Sequence, residues 1–265
     1  MTNQLKHLGF HQAKPCKALH NFIKGYWFID ALLPADLIYN EFLHPDGGFG
    51  IVFNFGNNLS FDNKTNKEIC FLDGTNTKTR LIGLSGRINA IGIRFKPSAA
   101  HAFLPVSLKD LKNETISLSD AGLKKLSNLH HVLAAYTSLK DKIQALDKAM
   151  FNCFNINNKP TAVDLHALRI IKDNRGLLPV GKVVQQLGIS QRKLERLFIS
   201  QAGMTPAEYS KTIRIKHARD SLKQLTMSYQ DIQFNLGYFD QSHFIKQFRS
   251  VVGITPGQYR QRYIK

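Results

Sequence analysis

The chain has 265 residues and a formal net charge of +17, from 36 Lys and Arg against 19 Asp and Glu. That length suits one large or two ordinary domains, and a composition 43% hydrophobic and 10% aromatic excludes wholesale disorder. No apolar run approaches the roughly 18 residues of a membrane span, the polar start lacks a signal-peptide core, and Cys16, Cys70 and Cys153 are too scattered for a disulfide framework or a cysteine zinc site. A cytoplasmic protein with an anionic partner is expected.

In chain order, the residues from Gly25 to Pro97 carry short apolar runs separated by Gly, Asn and Asp. The runs are Tyr26–Ile29, Leu37–Leu43, Phe49–Phe55, Ile69–Leu72, Arg80–Leu84 and Ile88–Phe95, with Pro45-Asp46-Gly47-Gly48 and Asp73-Gly74 among the loops. Such runs predict an antiparallel β-sandwich or barrel. Ser98–Leu104 reads as the start of a short helix and His130-His131 as a surface loop. Thr137–Phe154 sets apolar residues at 139, 143, 146, 149, 150 and 154, which is helical spacing. Asn155–Pro160 reads as a linker, dividing a β-rich domain with a helical tail (1–155) from a second domain (161–265). Residues 161–265 hold 17 Lys and Arg against 7 Asp and Glu, a net +10, and residues 1–160 a net +7.

Beyond the linker every segment reads as helix. Asp164–Asp173 sets Leu165, Leu168 and Ile171 in phase before Asn174-Arg175-Gly176 stops it, and Val180–Leu187 ends at Gly188. Phe198, Gly203, Thr205, Pro206 and Tyr209 then recur 50 residues later as Phe248, Gly253, Thr255, Pro256 and Tyr259. Leu187-Gly188 recurs as Leu236-Gly237 at an offset of 49, so one residue is inserted in the second turn. A shared offset of this length marks two copies of one supersecondary unit.

Each copy reads as helix, turn, helix. In the first, Ser190 caps a helix from Gln191 to about Gln201; in the second, Gln230–Leu236 precedes Asp240, which caps a helix from Gln241 to about Val251. Pro206–Leu225 joins the copies with a seam of Ile213, Ala218, Leu222 and Leu225. With Leu194, Leu197 and Phe198 inward, Gln191, Arg192, Glu195 and Arg196 point out. With Phe244, Ile245 and Phe248 inward, Gln241, Ser242, His243 and Lys246 point out. A helix of this kind after a short turn matches the way helix-turn-helix modules enter the major groove. There Arg grips guanine and Gln grips adenine through paired bonds. Glu195 either accepts from cytosine N4 or pairs with Arg192.

The stretches LGISQRKLERLFISQAGMTPAEYSKTIRIKHARDSL and LGYFDQSHFIKQFRSVVGITPGQYRQRY resemble the AraC/XylS-type transcription regulators, whose DNA-binding domain joins two helix-turn-helix units by a central helix. The resemblance implies base-reading positions for Arg192, Glu195 and Arg196, with Gln191 on the same face, and for Gln241, Ser242, His243 and Lys246. Val184 and Gln233 stand where the family usually has Ala. Val184 is expected to pack, and Gln233 to splay the second unit slightly or make a polar contact. Residues 9–155, through PDGGFGIVFNFG and NAIGIRFKPSAAHAFLP, look like the β-rich N-terminal domain of one subgroup, a cupin-like barrel that senses a small molecule or mediates self-association. The fold class implied is α+β, a β-sandwich or barrel with a helical tail plus an all-α double helix-turn-helix domain. The partners implied are double-stranded DNA, a small-molecule effector, a second copy in a homodimer and, for an activator, RNA polymerase, with no membrane.

Other readings compete. Gly83-Leu84-Ser85-Gly86 resembles part of a nucleophile elbow, but Arg87 replaces the closing Gly. His7-x3-His11 and Cys16-x3-His20 have metal-like spacing without a completing carboxylate. No enzyme activity, cofactor or metal is therefore expected. One rival fuses the DNA-binding domain to a repair-type alkyl acceptor, which requires an activated Cys that no local motif supplies. Another makes the first domain a dimerisation module only. Trp27, Phe49, Phe53, Phe55 and Phe95 line a ligand pocket or, the simpler reading, form core.

Overall fold

The computed structural model describes residues 8–264. Ten strands come first: β1 (His11–Ala13), β2 (Ile23–Leu32), β3 (Tyr39–Leu43), β4 (Phe49–Asn54), β5 (Leu59–Phe61), β6 (Lys64–Asn66), β7 (Cys70–Asp73), β8 (Arg80–Leu84), β9 (Arg87–Phe95) and β10 (Thr115–Ser117). They form two antiparallel sheets, ordered β1-β2-β9-β4-β7-β10 and β3-β8-β5-β6. The period-2 pattern explains why the larger sheet is covered on both faces. Ile91, Ile93 and Phe95 of β9 join Phe49, Ile51 and Phe53 of β4 against the helical tail. Ile88, Ala90 and Val52, on the opposite face, meet Leu59, Phe61 and Leu84 of the smaller sheet.

The tail holds α1 (Lys124–Ser127), α2 (Leu129–Ala135) and α3 (Leu139–Cys153). Leu146 and Met150 of α3 are fully buried on the sheet, and Asp147 accepts from the Tyr26 hydroxyl at 2.8 Å. Several expectations need correction. His130 and His131 lie within α2, where His130 stacks on Phe55 with centroids 4.3 Å apart, so they are not in a loop. Ser98–Leu104 yields only a 3-10 turn at Ala100–Ala102, because Ser98 takes a positive φ of 65°. β1, β5, β6 and β10 escape the sequence reading because three residues cannot display a period. His11 sits on β1, so helical metal spacing does not apply to it, and His7 lies outside the described residues. His20 Nε2 instead meets the Pro15 carbonyl at 2.6 Å.

Seven helices follow: α4 (Ala162–Asp173), α5 (Val180–Leu187), α6 (Gln191–Ala202), α7 (Pro206–Gln224), α8 (Tyr229–Asn235), α9 (Gln241–Val252) and α10 (Pro256–Gln261). α4 starts earlier than its apolar phase suggests, because Thr161 and Asp164 form a reciprocal capping box, and Leu165 is exposed. Two separate cores result. Leu168, Ile171, Val183, Leu194, Phe198 and Tyr209 form the first. Leu222, Ile232, Leu236, Phe244, Phe248 and Tyr259 form the second. α7 serves both, giving Ile213 to the first and Ile215, Ala218 and Leu222 to the second. The single seam expected for this helix is therefore divided, and Leu225 is an exposed left-handed residue that ends it. Among the described residues no helix is long and apolar enough to cross a membrane.

Candidate nucleic-acid interface

The sequence repeat is also a repeat of contacts. Ser190 Oγ accepts from the Lys193 amide at 3.2 Å to cap α6, and Asp240 Oδ1 accepts from the His243 amide at 2.6 Å to cap α9. Both helices stop at a glycine, Gly203 and Gly253, with φ of +68° and +87°, a backbone that side chains disfavour. Thr205–Glu208 and Thr255–Gln258 then form matching capping boxes, each followed by a proline in the first turn. Phe198 meets Tyr209 at 5.5 Å and Phe248 meets Tyr259 at 5.6 Å between centroids. One set of local rules, applied twice, thus orients α6 and α9.

The outer faces carry the candidate residues. Gln191, Arg192, Arg196, Gln241, Ser242, His243 and Lys246 are exposed, and Glu195 is half-buried. Glu195 accepts from Gln191 Nε2 at 2.9 Å, so the carboxylate is tied to Gln191 in place of the Arg192 pairing considered above. His243 is engaged within its own unit. The Gln247 side-chain amide donates to its Nε2 at 2.8 Å, and Gln247 in turn accepts from the Tyr238 hydroxyl at 3.0 Å. Ile245, expected inside, is half-buried and lines a shallow open depression on α9 with Ser242, Lys246, Arg249 and Ser250. Arg249 and Ser250 extend this face, beyond the first two turns that the sequence reading considered. Gln233 makes a polar contact, donating to the Tyr238 carbonyl at 3.2 Å, and Val184 packs on the first core.

The β-rich region touches both units, by different chemistry. At the first, Lys112 Nζ lies 3.0 Å from Glu208 Oε1. Partial burial favours the neutral acid, but the Thr205 backbone bond and Lys112 leave the Glu208 carboxyl below its ordinary pKa. At the second, the Thr79 amide donates to the Val251 carbonyl at 2.7 Å. Arg262 lies 4.0 Å from the Phe42 ring centroid, and the buried His44 packs edge-on against Tyr259 at 5.6 Å. Burial, reinforced by the positive charges of Arg219 and Lys223, pushes His44 down to about 2.

A cavity of about 460 Å³ opens beside His44 between the two sheets. Phe10, Trp27, Val52, Phe61, Phe71 and Leu84 give it apolar walls. Trp27 is thus a pocket residue, whereas Phe49, Phe53 and Phe95 are core and Phe55 packs at the core edge. At the polar end are Asn76, whose buried Oδ1 has no hydrogen-bond partner, and Arg219 and Lys223 of α7. Arg219 is 7% exposed and forms no ion pair with a carboxylate of a described residue. Asp46, also lining the cavity, is by contrast matched by Arg94 and Lys24, which override its burial and hold its carboxyl well below the usual range. Arg219 and Asn76 carried no sequence signal, because only folding brings α7 to the sheet edge.

Two capped helix-turn-helix units joined by one long helix define the DNA-binding class of fold to which residues 161–264 conform. Residues 183–262 match the family described as a helix-turn-helix domain, and residues 11–117 match a domain of unknown function (DUF6597). Over 78 residues the chain is 37% identical to the HTH-type transcriptional activator RhaR of Klebsiella pneumoniae subsp. pneumoniae, covering 29% of this chain and 28% of that protein. Over 75 residues it is 36% identical to RhaR of Yersinia pestis bv. Antiqua, covering 28% and 26%. The match therefore spans little more than a quarter of these relatives' length. Residues 183–262 are thus similar to the helix-turn-helix domains of known transcription regulators, in line with the AraC/XylS resemblance of the C-terminal stretches. Among solved structures, an AraC-type regulator from Chromobacterium violaceum is 28% identical over 39% of this chain and 93% of that one, with a TM-score of 0.36. ToxT from Vibrio cholerae O395, bound to (E)-4-(8-methylnaphthalen-1-yl)but-3-enoic acid, is 14% identical over 89% and 99%, with a TM-score of 0.48.

Proposed function

We propose that the chain is a sequence-specific transcription regulator divided into a sensor or self-association domain (1–155) and a DNA-binding domain (161–265). α6 and α9 enter successive major grooves about 34 Å apart along the duplex. Arg192 and Arg196 grip guanine edges, and Gln191 and Gln241 reach adenine. Glu195 both orients Gln191 and accepts from cytosine N4. Ser242, His243 and Lys246 contact bases and phosphates at the second site. The observation that carries this reading is the duplicated cap-and-ring architecture, which presents two polar helix faces on one chain. Affinity for a selected duplex is expected to fall steeply with salt, because phosphate contacts release counterions. A salt titration of binding that stays flat ends the proposal.

The cavity favours sensing over self-association alone. An apolar chamber ending in the buried Arg219 guanidinium, beside the Tyr259 hydroxyl, suits a small apolar molecule with an anionic group. Such a ligand touches α7 and the sheets together and so couples occupancy to the spacing of α6 and α9. Small apolar acids are expected to raise the Tm of the full chain, an effect that Arg219→Gln abolishes. If the acids leave Tm unchanged while sedimentation shows a stable dimer, the region is an assembly module. An activator acts through RNA polymerase. The alkyl-acceptor rival is disfavoured by thiol chemistry, since burial pushes the Cys70 thiol up to about 11 and also raises Cys153.

A further inference from the structure

The two units differ in length at one place, and the extra residue is identifiable. In the first, the chain passes from Gly188 to the cap Ser190 through Ile189, which is half-buried against the core. In the second it passes from Gly237 to the cap Asp240 through Tyr238 and Phe239. Tyr238 takes the part of Ile189: it is 4% exposed, with its ring 5.2 Å from that of Phe244. Phe239 is therefore the insertion, and its side chain is fully exposed. On α8, Phe234 is also exposed where the first unit has Gln185.

We propose that Phe239 is a base-reading residue, its ring resting on the 5-methyl group of a thymine in the major groove entered by α9. This rests on the reading of α9 as a recognition helix. Thymine's methyl is the one apolar group the major groove displays, and Phe is among the side chains suited to it. Phe239 stands one residue ahead of the N-cap, at the end of the helix that reaches base edges in this class of fold. Its chain neighbours toward the helix, Asp240, Gln241 and Ser242, are polar and exposed, as suits a single apolar contact within a wet, polar interface. A protein partner fits less well. Two aromatic rings offer on the order of 400 Å², against about 800 Å² on each side of a stable protein interface.

The test uses a duplex selected by the full chain from a random-sequence pool. Each thymine in the half bound by the second unit is replaced in turn by uracil, which lacks only the methyl. At one position the replacement is expected to weaken wild-type binding about three- to tenfold. Phe239→Ser should lose a similar factor on the thymine duplex and little more on the uracil duplex. Phe239 makes no core contact, so an unchanged Tm verifies that the variant is folded. If Phe239→Ser binds like wild type while Lys246→Ala weakens binding, the inference fails and a protein contact becomes the use of the ring. The inference also fails if the losses from Phe239→Ser and uracil multiply independently. If the chain selects no duplex and Lys246→Ala changes nothing, it is the reading of α9 itself that falls.

Discussion

The two helix-turn-helix units are built alike inside and differently outside. At equivalent positions of the recognition helices the first has Arg192, Glu195 and Arg196, and the second has Ser242, Ile245 and Lys246. The first face is rich in fixed charge and in groups that bond in pairs. The second is milder, part of its polarity is spent on the His243–Gln247–Tyr238 chain, and it adds an exposed Phe239. A duplicated scaffold has thus kept its caps and its Phe–Tyr ring pairs while its two outer faces differ. What must be retained is the set of contacts that orient the helix; what is free to vary is what the helix presents.

The largest effects should show whether the shared interior is equally demanding in both units. Phe198→Ala and Phe248→Ala each remove a fully buried ring and are each expected to cost about 3–5 kcal/mol of stability by chemical denaturation. A loss below about 1 kcal/mol at either site would show that this unit's core is not packed as described. On the outer faces the comparison should turn asymmetric. Arg196→Ala is expected to cost roughly 1–3 kcal/mol of binding and relax one base preference, whereas Lys246→Ala should weaken all sequences nearly evenly and lower the salt slope by about one. Equal behaviour in a titration over single-base variants of the selected duplex would erase the distinction.

Acid should distinguish how the β-rich region holds the two units. His44, against the second unit, is neutral when folded because its pKa lies far below the ordinary value near 6.5. Between about pH 6.5 and 2 the unfolded chain binds this proton and the folded chain does not, so stability falls as pH falls, by about 1.4 kcal/mol per unit. Replacing His44 with Gln should flatten that part of the pH–stability curve. The Lys112–Glu208 contact at the first unit, with its depressed carboxyl pKa, keeps its contribution above the ordinary Glu range and loses it only in stronger acid. An unchanged slope between pH 6.5 and 5 in His44→Gln would remove His44 as the origin.

The helix-turn-helix half was far more legible than the β-rich half. Its caps, glycine stops and recognition helices depend on residues within a few positions of one another, and the offset of 50 aligned them without any tertiary knowledge. In the β-rich half the longer strands could be read, since β4 and β9 are long enough to show their period. The three-residue strands and α1 and α2 could not, because long-range pairing and packing stabilise them more than local propensity does.

What the amino-acid sequence determined unaided is therefore local and periodic: the repeat, the capped helices, the outward faces of α6 and α9, and the AraC/XylS resemblance. Tertiary structure decided which apolar rings are wall and which are core, separating Trp27 from Phe49, Phe53 and Phe95. It divided α7 between two cores, tied Glu195 to Gln191, and carried Arg219 and Lys223 to a cavity whose other walls precede them by more than a hundred residues. The reason is the range of the forces involved. Backbone caps and helical periodicity act over three or four residues, whereas burial and charge pairing depend on which distant surfaces meet when the chain closes.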